Sequence, residues 1–527
     1  MARLGERLPV MLAARGIDVA FGVAAPRTVE LYRGIDGSGL RHIAARSETG
    51  AGFMADGFAR ACGRPAAVLA SDGPGLAGLV APMAQALHGS TPMLAITVCG
   101  PKPPERRARL DAVRRAAAEA ARLSRRIEDP AAMGAALDDA LTLFAASRPG
   151  PVHLEIPESV LASEAPDAED RRAPPEAPRP SVAELAEMVM RIGTAHRPLM
   201  LCGAGAVGAG ALIGRLAERL QAPVLLTSAA RGLVPPDHRL YAGGWLHTPA
   251  IHDLIARADL VLAIGTGLDP ADFALDGAAG APVAFPEDGV LRVDIDPERL
   301  DSGPHLALGV AADAGAAAAA LLENLPQRES APPDMAEMRN RAALSVTERY
   351  GRHQAMLEAI WKHLPDAVVI GDVTEPARLG RISAAPPAPR RWWASEDGFG
   401  SVGYALPAAI GAKVADHRRP VVALIGDVGA LRHAVELTAA VEAGAHVVAL
   451  VWNNSGSGGA REAMQARGVK PVAVDLAQTE HQALARAVGA AYARVHSLEY
   501  LRDALKKAVM RPGPSLLELR EEFWFET

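Results

Sequence analysis

The chain has 527 residues, of which 49% are hydrophobic and 22% are charged, and its formal net charge is −6. This length is too great for a single hydrophobic core and predicts two to four domains. The slightly negative net charge gives no general attraction to nucleic acid or to anionic membranes. The sequence contains no run of 18 apolar residues, so a membrane span is not expected. The three cysteines, Cys62, Cys99 and Cys202, are too widely spaced for a disulfide framework or a zinc site, so we expect reduced thiols and a cytoplasmic protein.

Two breaks that contain proline divide the chain into three segments of similar size. The stretch from Glu164 to Ser181 is charged and holds five prolines, and the stretch from Pro326 to Met335 is polar. Neither composition can continue a helix or a strand, so both read as exposed connectors. The sequence therefore predicts domains at residues 1–163, 182–325 and 346–527.

Short apolar runs alternate with helical periodicity in every segment. The predicted strands are Ala66–Ala70, Met93–Val98, Val152–Ile156, Leu199–Cys202, Val224–Thr227, Leu260–Ile264, Leu291–Ile295, Ala367–Ile370, Val421–Ile425 and Val447–Trp452. Apolar strands separated by helices are typical of parallel sheets covered on both faces. The expected fold class is therefore α/β, with three doubly wound parallel-sheet domains.

The middle segment carries a glycine pattern that resembles a dinucleotide-binding turn. Gly203 to Gly208 reads Gly-Ala-Gly-Ala-Val-Gly, follows a predicted strand and opens a helix. The next strand, however, ends at Leu226-Thr227-Ser228 without the acidic residue that would hold a ribose. A tight strand-to-helix turn is the favoured interpretation, and we expect neither a nicotinamide cofactor nor FAD.

Polar residues follow two strands of the third segment. The strand Val421–Ile425 leads into Gly426 and Asp427, and the strand Val447–Trp452 leads into Asn454 and Gly456. If both strands belong to one parallel sheet, the Asp427 carboxylate, the Asn454 amide oxygen and the Gly456 carbonyl lie side by side, and these hard oxygens suit Mg²⁺. Ordinary turn chemistry, with the aspartate capping the next helix, is the alternative.

A second set of motifs, spread in order along the chain, resembles thiamine-diphosphate enzymes of the acetolactate synthase and benzoylformate decarboxylase type. These motifs are Arg46–Arg60 (RSETGAGFMADGFAR), Ser71–Gly75, Gly150–Pro157, Val293–Pro297 and Gly398–Gly411. Within that family, Thr28–Gly34, Gly50–Arg60, Val451–Asn454 and Ser515–Leu519 look closest to the 5-guanidino-2-oxopentanoate (2-ketoarginine) decarboxylase branch.

The resemblance implies both an activity and a domain arrangement. Thiamine diphosphate and Mg²⁺ would serve decarboxylation or carboligation of a 2-oxo acid, and the sequence does not decide between these reactions. The three segments would be a pyrimidine-binding domain, a central Rossmann-like domain and a diphosphate-binding domain. A homodimer or homotetramer with sites at the subunit interface is implied, with no nucleic acid or membrane partner.

The same resemblance assigns roles to individual residues. Glu48 would be the catalytic carboxylate that shares a proton with the coenzyme pyrimidine, although a helix-start glutamate that interacts with the helix dipole is the structural alternative. Val402 would support the bent coenzyme, or be a plain core valine, and the Gly400 carbonyl would accept a hydrogen bond from the pyrimidine amino group. The remaining coenzyme contacts would be Gly73, Thr374, Glu375, Gly426, Asp427, Val428, Gly429, Asn454 and Gly456, of which Asp427, Asn454 and Gly456 would also bind the metal.

Several residues depart from the family pattern. Val428 stands where a third glycine is usual, Glu375 replaces a glutamine, Asp72 is an acid in a loop that is normally neutral, and Ala24-Ala25 replaces a Pro-Gly turn. The basic stretch from Gly100 to Arg126 also lacks the polar loop that relatives place over the substrate. These departures motivate a second hypothesis, in which the chain is a non-catalytic homologue that keeps the fold as a binding or regulatory subunit.

Overall fold

The computed structural model describes residues 2–101, 104–166, 171–173, 175–274, 283–329, 335–343 and 348–525. Parts of both predicted connectors, Glu164–Ser181 and Pro326–Met335, lie outside these residues. Three six-stranded sheets with helices packed around them make up the described fold, one sheet in each predicted segment. The predicted α/β fold class is therefore confirmed.

The first sheet has the strand order β2-β1-β3-β4-β6-β5, and all of its neighbouring strands run parallel. Its strands are β1 Val19–Gly22, β2 Arg41–Ala44, β3 Ala66–Ser71, β4 Met93–Cys99, β5 Leu123–Arg126 and β6 Pro151–Pro157. Its helices are α1 Leu4–Ala13, α2 Val29–Tyr32, α3 Glu48–Cys62, α4 Pro74–His88, α5 Pro104–Glu119, α6 Met133–Ala146 and α7 Glu158–Leu161. The winding reverses direction between β1 and β3.

The second sheet reads β9-β8-β7-β10-β11-β12, which is the 3-2-1-4-5-6 order of a Rossmann-like domain. Its strands are β7 Pro198–Cys202, β8 Val224–Leu226, β9 Tyr241–Gly243, β10 Leu260–Ile264, β11 Val290–Asp294 and β12 Leu308–Ala311. The helices of this segment are α8 Val182–Thr194, α9 Gly210–Leu220, α10 Pro249–Arg257, α11 Pro297–Leu300, α12 Ala314–Asn324 and α13 Met335–Ala343.

The third sheet repeats the strand order of the first, as β14-β13-β15-β16-β18-β17. Its strands are β13 Val368–Gly371, β14 Trp392–Ala394, β15 Val421–Gly426, β16 Val447–Asn453, β17 Ala491–Val495 and β18 Ser515–Arg520. The helices are α14 Glu348–His363, α15 Glu375–Ser383, α16 Ala405–Ala415, α17 Asp427–His433, α18 Glu436–Ala443, α19 Gly458–Ala466, α20 His481–Ala487, α21 Leu498–Met510 and α22 Glu521–Phe525.

By contacts the chain forms two compact units. The first comprises Met1–Pro175, Ala367–Ala377 and Ala394–Thr527, and the second comprises Glu176–Asp366 and Arg378–Trp393. The first unit thus joins most of the first and third predicted domains. The three predicted domain boundaries stay a prediction.

Inside the first unit, α3 and α16 pack against each other without space for side chains at two points. A side-chain carbon on Gly57 of α3 would collide with the backbone of Ala408, and one on Gly411 of α16 would collide with the backbone of Met54. The ring of Tyr404 also packs edge to face on Phe53 of α3, with centroids 5.4 Å apart. Glycine at 57 and 411 therefore lets the two helices touch backbone to backbone.

Among the described residues, no helix is both long enough and apolar enough to cross a membrane. The three cysteines are free thiols, and Cys99 and Cys202 are buried. Burial raises the pKa of Cys202 to about 12, so this thiol is a core residue and not a nucleophile.

Candidate active site

The winding of the third sheet reverses between β13 and β15, and the carboxyl ends of these neighbouring strands border the crevice where α/β sheets bind ligands. Thr374 follows β13, is buried, and caps α15 by accepting a hydrogen bond from the Ala377 N–H to its Oγ1 at 3.2 Å. A side-chain carbon on Gly426 would lie 3.3 Å from the Thr374 methyl group, so the two loops touch. Glu375 is half-buried and begins α15.

Asp427 is the first residue of α17 and is buried beside this crevice. Burial raises the pKa of its carboxyl group, while the backbone N–H groups of Val428 and Gly456 act in the opposite direction because they favour the charged form. Val428 has ordinary helical backbone without positive φ, so the structure demands no glycine there. Gly429 packs on a second acid, since a side-chain carbon on it would lie 2.7 Å from Asp372 Oδ2.

A strained turn after β16 brings Gly456 to Asp427. Ser455 has φ of 62° and Gly456 has φ of 139°, a conformation that only glycine adopts readily. The turn is tied to a neighbouring segment by two backbone hydrogen bonds, from the Ser457 N–H to the Val474 carbonyl at 2.9 Å and from the Leu476 N–H to the Ser455 carbonyl at 3.3 Å. These bonds do not involve the Gly456 carbonyl.

The two asparagines before this turn have different environments. Asn453 is buried, donates from Nδ2 to Glu518 Oε1 at 2.7 Å, and accepts from the Ser455 N–H at 3.0 Å. Asn454 is half-buried, and its amide borders Gly458 at the start of α19 so closely that a side chain on Gly458 would collide with it. Asn453 therefore holds the turn, and Asn454 is the asparagine with an amide oxygen to offer a ligand.

The donors at this edge fit a hard cation better than a soft one. Among the described residues, no group of three or more His, Cys, Asp or Glu side chains could hold a metal ion. The predicted ligands, which are the Asp427 carboxylate, the Asn454 amide oxygen and the Gly456 carbonyl, are hard oxygens that would suit Mg²⁺ when waters or phosphate oxygens complete the shell.

The loop that carries Gly400 and Val402 lies between β14 and α16. Gly400 has φ of 80° and donates its N–H to the Ser395 carbonyl at 2.9 Å. Gly403 donates its N–H to Asp372 Oδ2 at 2.8 Å, and burial raises the pKa of Asp372 to about 7. Val402 is half-buried, so its side chain is not simply part of the core.

Glu48 is the first residue of α3 and follows the N-cap Ser47, whose Oγ accepts from the Gly50 N–H at 3.0 Å. Its half-buried side chain lies under the start of α4, because a side-chain carbon on Gly75 would be 3.2 Å from Glu48 Oε1. Burial raises the pKa of the nearby Tyr32 hydroxyl to about 12, and the Glu48 charge adds to this shift.

Gly73 forms the turn into α4 with φ of 68°, and Leu110 of α5 lies over it. Its neighbour Asp72 is buried and donates its backbone N–H to the Val98 carbonyl at 2.9 Å. This loop therefore lies at the reversal point of the first sheet, as Gly426 does in the third.

Glu436 of α18 is a residue whose part in this region the sequence did not reveal. It is fully buried and accepts from the Ser47 hydroxyl at 2.8 Å and from the Arg46 N–H at 2.9 Å, and burial raises its pKa. The third segment thus fixes the start of the helix that carries Glu48. The available signal was a lone glutamate beside apolar residues of α18.

The structure brings together Thr374, Gly426, Asp427 and Gly456 at one sheet edge. Among the described residues, no hydrogen bond or ion pair joins Glu48 to Asp427 or to Asn454.

The glycine pattern of the central domain is accounted for by backbone packing. The Gly205 N–H donates to the Gly265 carbonyl at 2.9 Å, and side-chain carbons on Gly203 or Gly205 would come within 3 Å of Gly265 or Thr266. A dinucleotide would need that N–H for its diphosphate. The glycines therefore have a structural role in a tight turn.

Three family descriptions match successive parts of the chain. "Thiamine pyrophosphate enzyme, N-terminal TPP binding domain" matches residues 2–118, the central domain of the same enzymes matches residues 185–321, and their C-terminal TPP binding domain matches residues 376–519.

Individual relatives agree with these matches. The chain is similar to the probable 2-ketoarginine decarboxylase AruI of Pseudomonas aeruginosa, with 37% identity over 98% of this chain and 93% of that protein. It is also similar to the acetolactate synthase isozyme 1 large subunit of Escherichia coli, with 27% identity over 97% and 92% of the two chains. A crystal structure of a putative thiamin diphosphate-dependent enzyme from Mycobacterium smegmatis has the same fold, with a TM-score of 0.82, 22% identity and 99% coverage of both chains.

The chain belongs to the thiamine pyrophosphate enzyme family. It is a thiamine-diphosphate-dependent enzyme acting on 2-oxo acids, of the decarboxylase and acetolactate synthase type, as the sequence predicted. The alternative of a non-catalytic homologue is not favoured, because the relatives are themselves named as enzymes.

Proposed function

We propose that the protein is a thiamine-diphosphate and Mg²⁺ dependent decarboxylase whose substrate is a 2-oxo acid of the 5-guanidino-2-oxopentanoate class. The substrate class is supported by the 37% identity, over nearly the whole chain, to a probable 2-ketoarginine decarboxylase. The observation that carries the cofactor assignment is the meeting of Asp427, Thr374 and the Gly456 turn at the reversal point of the third sheet.

The third sheet would hold the metal and the diphosphate. Asp427 would supply the charged ligand, and Asn454 Oδ1 and the Gly456 carbonyl the neutral ones, with waters and phosphate oxygens completing the shell. Thr374 and the first N–H groups after Gly426 would face the phosphates. Glu375 adds a negative charge near the diphosphate, so we expect the metal to be required for tight binding.

The first sheet would serve the other end of the coenzyme. When bound, thiamine diphosphate accepts the electron pair that the departing CO₂ leaves behind. Glu48 would exchange a proton with the pyrimidine nitrogen, and the half-buried Val402 and the Gly400 carbonyl would hold the ring in place. Tyr32, which stays protonated at neutral pH, lies near Glu48, and its hydroxyl forms a hydrogen bond with His42 Nε2 at 3.1 Å.

A complete site would require two subunits. Among the described residues of one chain, no hydrogen bond or ion pair joins Glu48 itself to Asp427 or Asn454. A second copy that supplies the missing half would complete the site, so we propose a homodimer or a homotetramer. We also propose that the protein works in the cytoplasm, in keeping with its free thiols.

Coenzyme binding and CO₂ release test this proposal in sequence. Purified protein is titrated with thiamine diphosphate in the presence and absence of Mg²⁺ while the melting temperature is followed. Saturation at about 100 times the dissociation constant adds roughly 2.7 kcal/mol to the folded state. An unchanged melting curve at millimolar coenzyme and Mg²⁺ would overturn the cofactor assignment.

Substrate class is tested next by measuring CO₂ release from a panel of 2-oxo acids. The expected order places 5-guanidino-2-oxopentanoate above uncharged 2-oxo acids of the same length and above pyruvate. Release from pyruvate with formation of acetolactate would favour the carboligase function instead.

A further inference from the structure

Helix α4 connects the two parts of the first unit that the proposed function assigns to the coenzyme. Its first turn lies against Glu48, since side-chain carbons on Gly75 and Gly78 would each come within 3.2 Å of that residue. Its last turn carries Gln85, which faces the loop around Gly400.

Gln85 is fully buried and binds this loop at both ends of its amide group. Its Nε2 donates to the Ser395 carbonyl at 2.8 Å, and its Oε1 accepts from the Phe399 N–H at 3.2 Å and from the Ser401 N–H at 3.4 Å. A side chain on Gly398 would collide with the Gln85 amide, so the loop backbone lies directly on it.

The chemistry of these contacts requires an amide. The Ser395 carbonyl accepts from the N–H groups of Gly398 and Gly400 as well as from Gln85, so it is the centre of the loop. One side chain must donate to this carbonyl and accept from two backbone N–H groups at the same time. An apolar residue would leave all three backbone groups without this partner in a buried place.

The loop has a second anchor on its other side. Gly403 donates its N–H to Asp372, which directly follows β13, and β13 pairs with β15, the strand that leads into Asp427. Gln85 comes instead from the N-terminal part of the chain, 310 positions before Ser395. The loop is therefore held between the two sheets of the first unit, and Gln85 is one of its contacts with the N-terminal part of the chain.

We propose that Gln85 is a positioning residue, which fixes the Gly398–Val402 loop so that Gly400 and Val402 can hold the pyrimidine end of thiamine diphosphate. This inference rests on the proposed coenzyme site. It assigns Gln85 to the pyrimidine end, because the described hydrogen bonds of Gln85 go to Ser395, Phe399 and Ser401 in the loop around Gly400.

Because Gln85 is assigned to the pyrimidine end, binding experiments can separate a positioning effect of Gln85 from a general loss of protein stability. Replacing Gln85 with leucine should weaken binding of Mg²⁺–thiamine diphosphate about tenfold, the value of one well-placed hydrogen bond, while binding of Mg²⁺–inorganic diphosphate stays within twofold. Calorimetry on the full-length protein gives both affinities. In the coenzyme-free protein, the amides of Phe399 and Ser401 should exchange with deuterium faster in Gln85→Leu than in wild type.

Two further variants test whether the loss of coenzyme affinity depends on the hydrogen bonds of Gln85 to the loop. Gln85→Glu keeps an acceptor oxygen for the Phe399 and Ser401 amides, so it should recover part of the lost coenzyme affinity. Thr97→Val removes a hydrogen bond of similar burial, from Thr97 Oγ1 to His153 Nε2 at 2.8 Å, far in sequence from the loop. This control should lower the melting temperature without changing either affinity.

The outcomes distinguish the inference from the proposed function. If wild type binds thiamine diphosphate and Gln85→Leu binds it equally well with unchanged exchange at Phe399 and Ser401, Gln85 has no positioning role. Equal losses for thiamine diphosphate and for diphosphate would likewise overturn it, because they would reveal a general structural effect. If wild type itself fails to bind the coenzyme, the proposed function fails first.

Discussion

Asp427 is a buried carboxylate at the edge of the third sheet, and burial raises its pKa. Holding such a group in its charged form costs free energy until a cation binds beside it. The residue is therefore expected to favour metal binding at the expense of the stability of the metal-free protein. A conservative substitution can measure these two effects separately.

Asp427→Asn should weaken binding of Mg²⁺–thiamine diphosphate by at least tenfold, because an amide oxygen carries no charge for the metal. In the absence of metal, its melting temperature at pH 8 should equal or exceed that of wild type, because a buried charge has been removed. Calorimetry and thermal melting measure the two effects. Asp475→Asn, which changes an exposed acid on the segment bridged to Gly456, is the control and should leave the affinity unchanged. Full affinity in Asp427→Asn would show that this carboxylate is not a metal ligand.

Glu48→Gln should fold normally and bind the coenzyme within a few-fold of wild type, while CO₂ release falls by about 10²- to 10⁴-fold, as expected when a proton-transferring group is lost. Single-turnover CO₂ release and calorimetry separate the chemical step from binding. Glu184→Gln changes a glutamate in the first turn of α8, where it caps the helix with Ser181, and should leave CO₂ release unchanged. Near-native release by Glu48→Gln would leave Glu48 with only the structural role of a helix-start residue.

At the scale of secondary structure, the third sheet is connected to the Gly400 loop through Asp372 at the end of β13. Its carboxylate accepts from the Val373 and Gly403 N–H groups, yet burial raises its pKa to about 7 from the ordinary value of 3.8. The folded protein therefore retains a proton on Asp372 over a pH range in which the unfolded chain has lost it. Stability from this group is present below pH 4 and is lost as the pH rises to 7.

Without coenzyme, wild type should lose stability relative to Asp372→Asn as the pH rises from 5 to 8, because asparagine does not titrate. The full shift of about three pKa units corresponds to an upper bound of about 4 kcal/mol. Denaturant unfolding of both proteins at several pH values measures the difference. Asp416→Asn, which alters an exposed acid paired with Arg419, should give a curve parallel to that of wild type. A parallel curve for Asp372→Asn would show that Asp372 has an ordinary pKa.

The strands that the sequence predicted are interior strands, and the sheet edges were missed. Leu260–Ile264 was predicted with both ends correct, and the run Val447–Trp452 is short of β16 by one residue, since both strands are continuous apolar runs buried on two faces. The edge strands β2, β5, β12 and β17 are partly exposed and mix polar with apolar residues, so they show no such run. The edge strands β9 and β14 have only three residues each.

Candidate site residues could be predicted from the sequence where they directly follow an apolar strand, as Thr374 and Asp427 do. Gln85 and Glu436 were not, because each lies inside a helix and reaches a partner more than 300 positions away in the chain. Such contacts depend on how the first and third sheets pack, which local patterns do not specify.

At the scale of the whole molecule, the first and third sheets have the same strand order, and each carries one half of the proposed site at its own reversal point. Among the described residues of a single chain, no hydrogen bond or ion pair joins Glu48 itself to Asp427. In a symmetric dimer, a twofold axis would bring the Glu48 half of each subunit to the Asp427 half of the other. Two equivalent complete sites would result.

Mixing two inactive variants tests this arrangement. Glu48→Gln and Asp427→Ala are unfolded together and refolded at equal concentrations, so that about half of the dimers are mixed and each mixed dimer has one intact site out of two. The expected CO₂ release is about a quarter of wild type, although each variant alone is nearly inactive. Refolding each variant by itself is the control, and a mixture without recovered activity would mean that Glu48 and Asp427 act within one subunit.

The backbone contact between α3 and α16 has a consequence for motion. Gly57 lies on Ala408 and Gly411 lies on Met54 with no side chain between them, so neither helix can slide or tilt without a steric collision. The contact therefore opposes sliding of the first segment past the third. We expect opening of the catalytic crevice during turnover to come from surface loops, in particular the segment from Val469 to Leu476, in which Val469, Val472 and Leu476 are exposed.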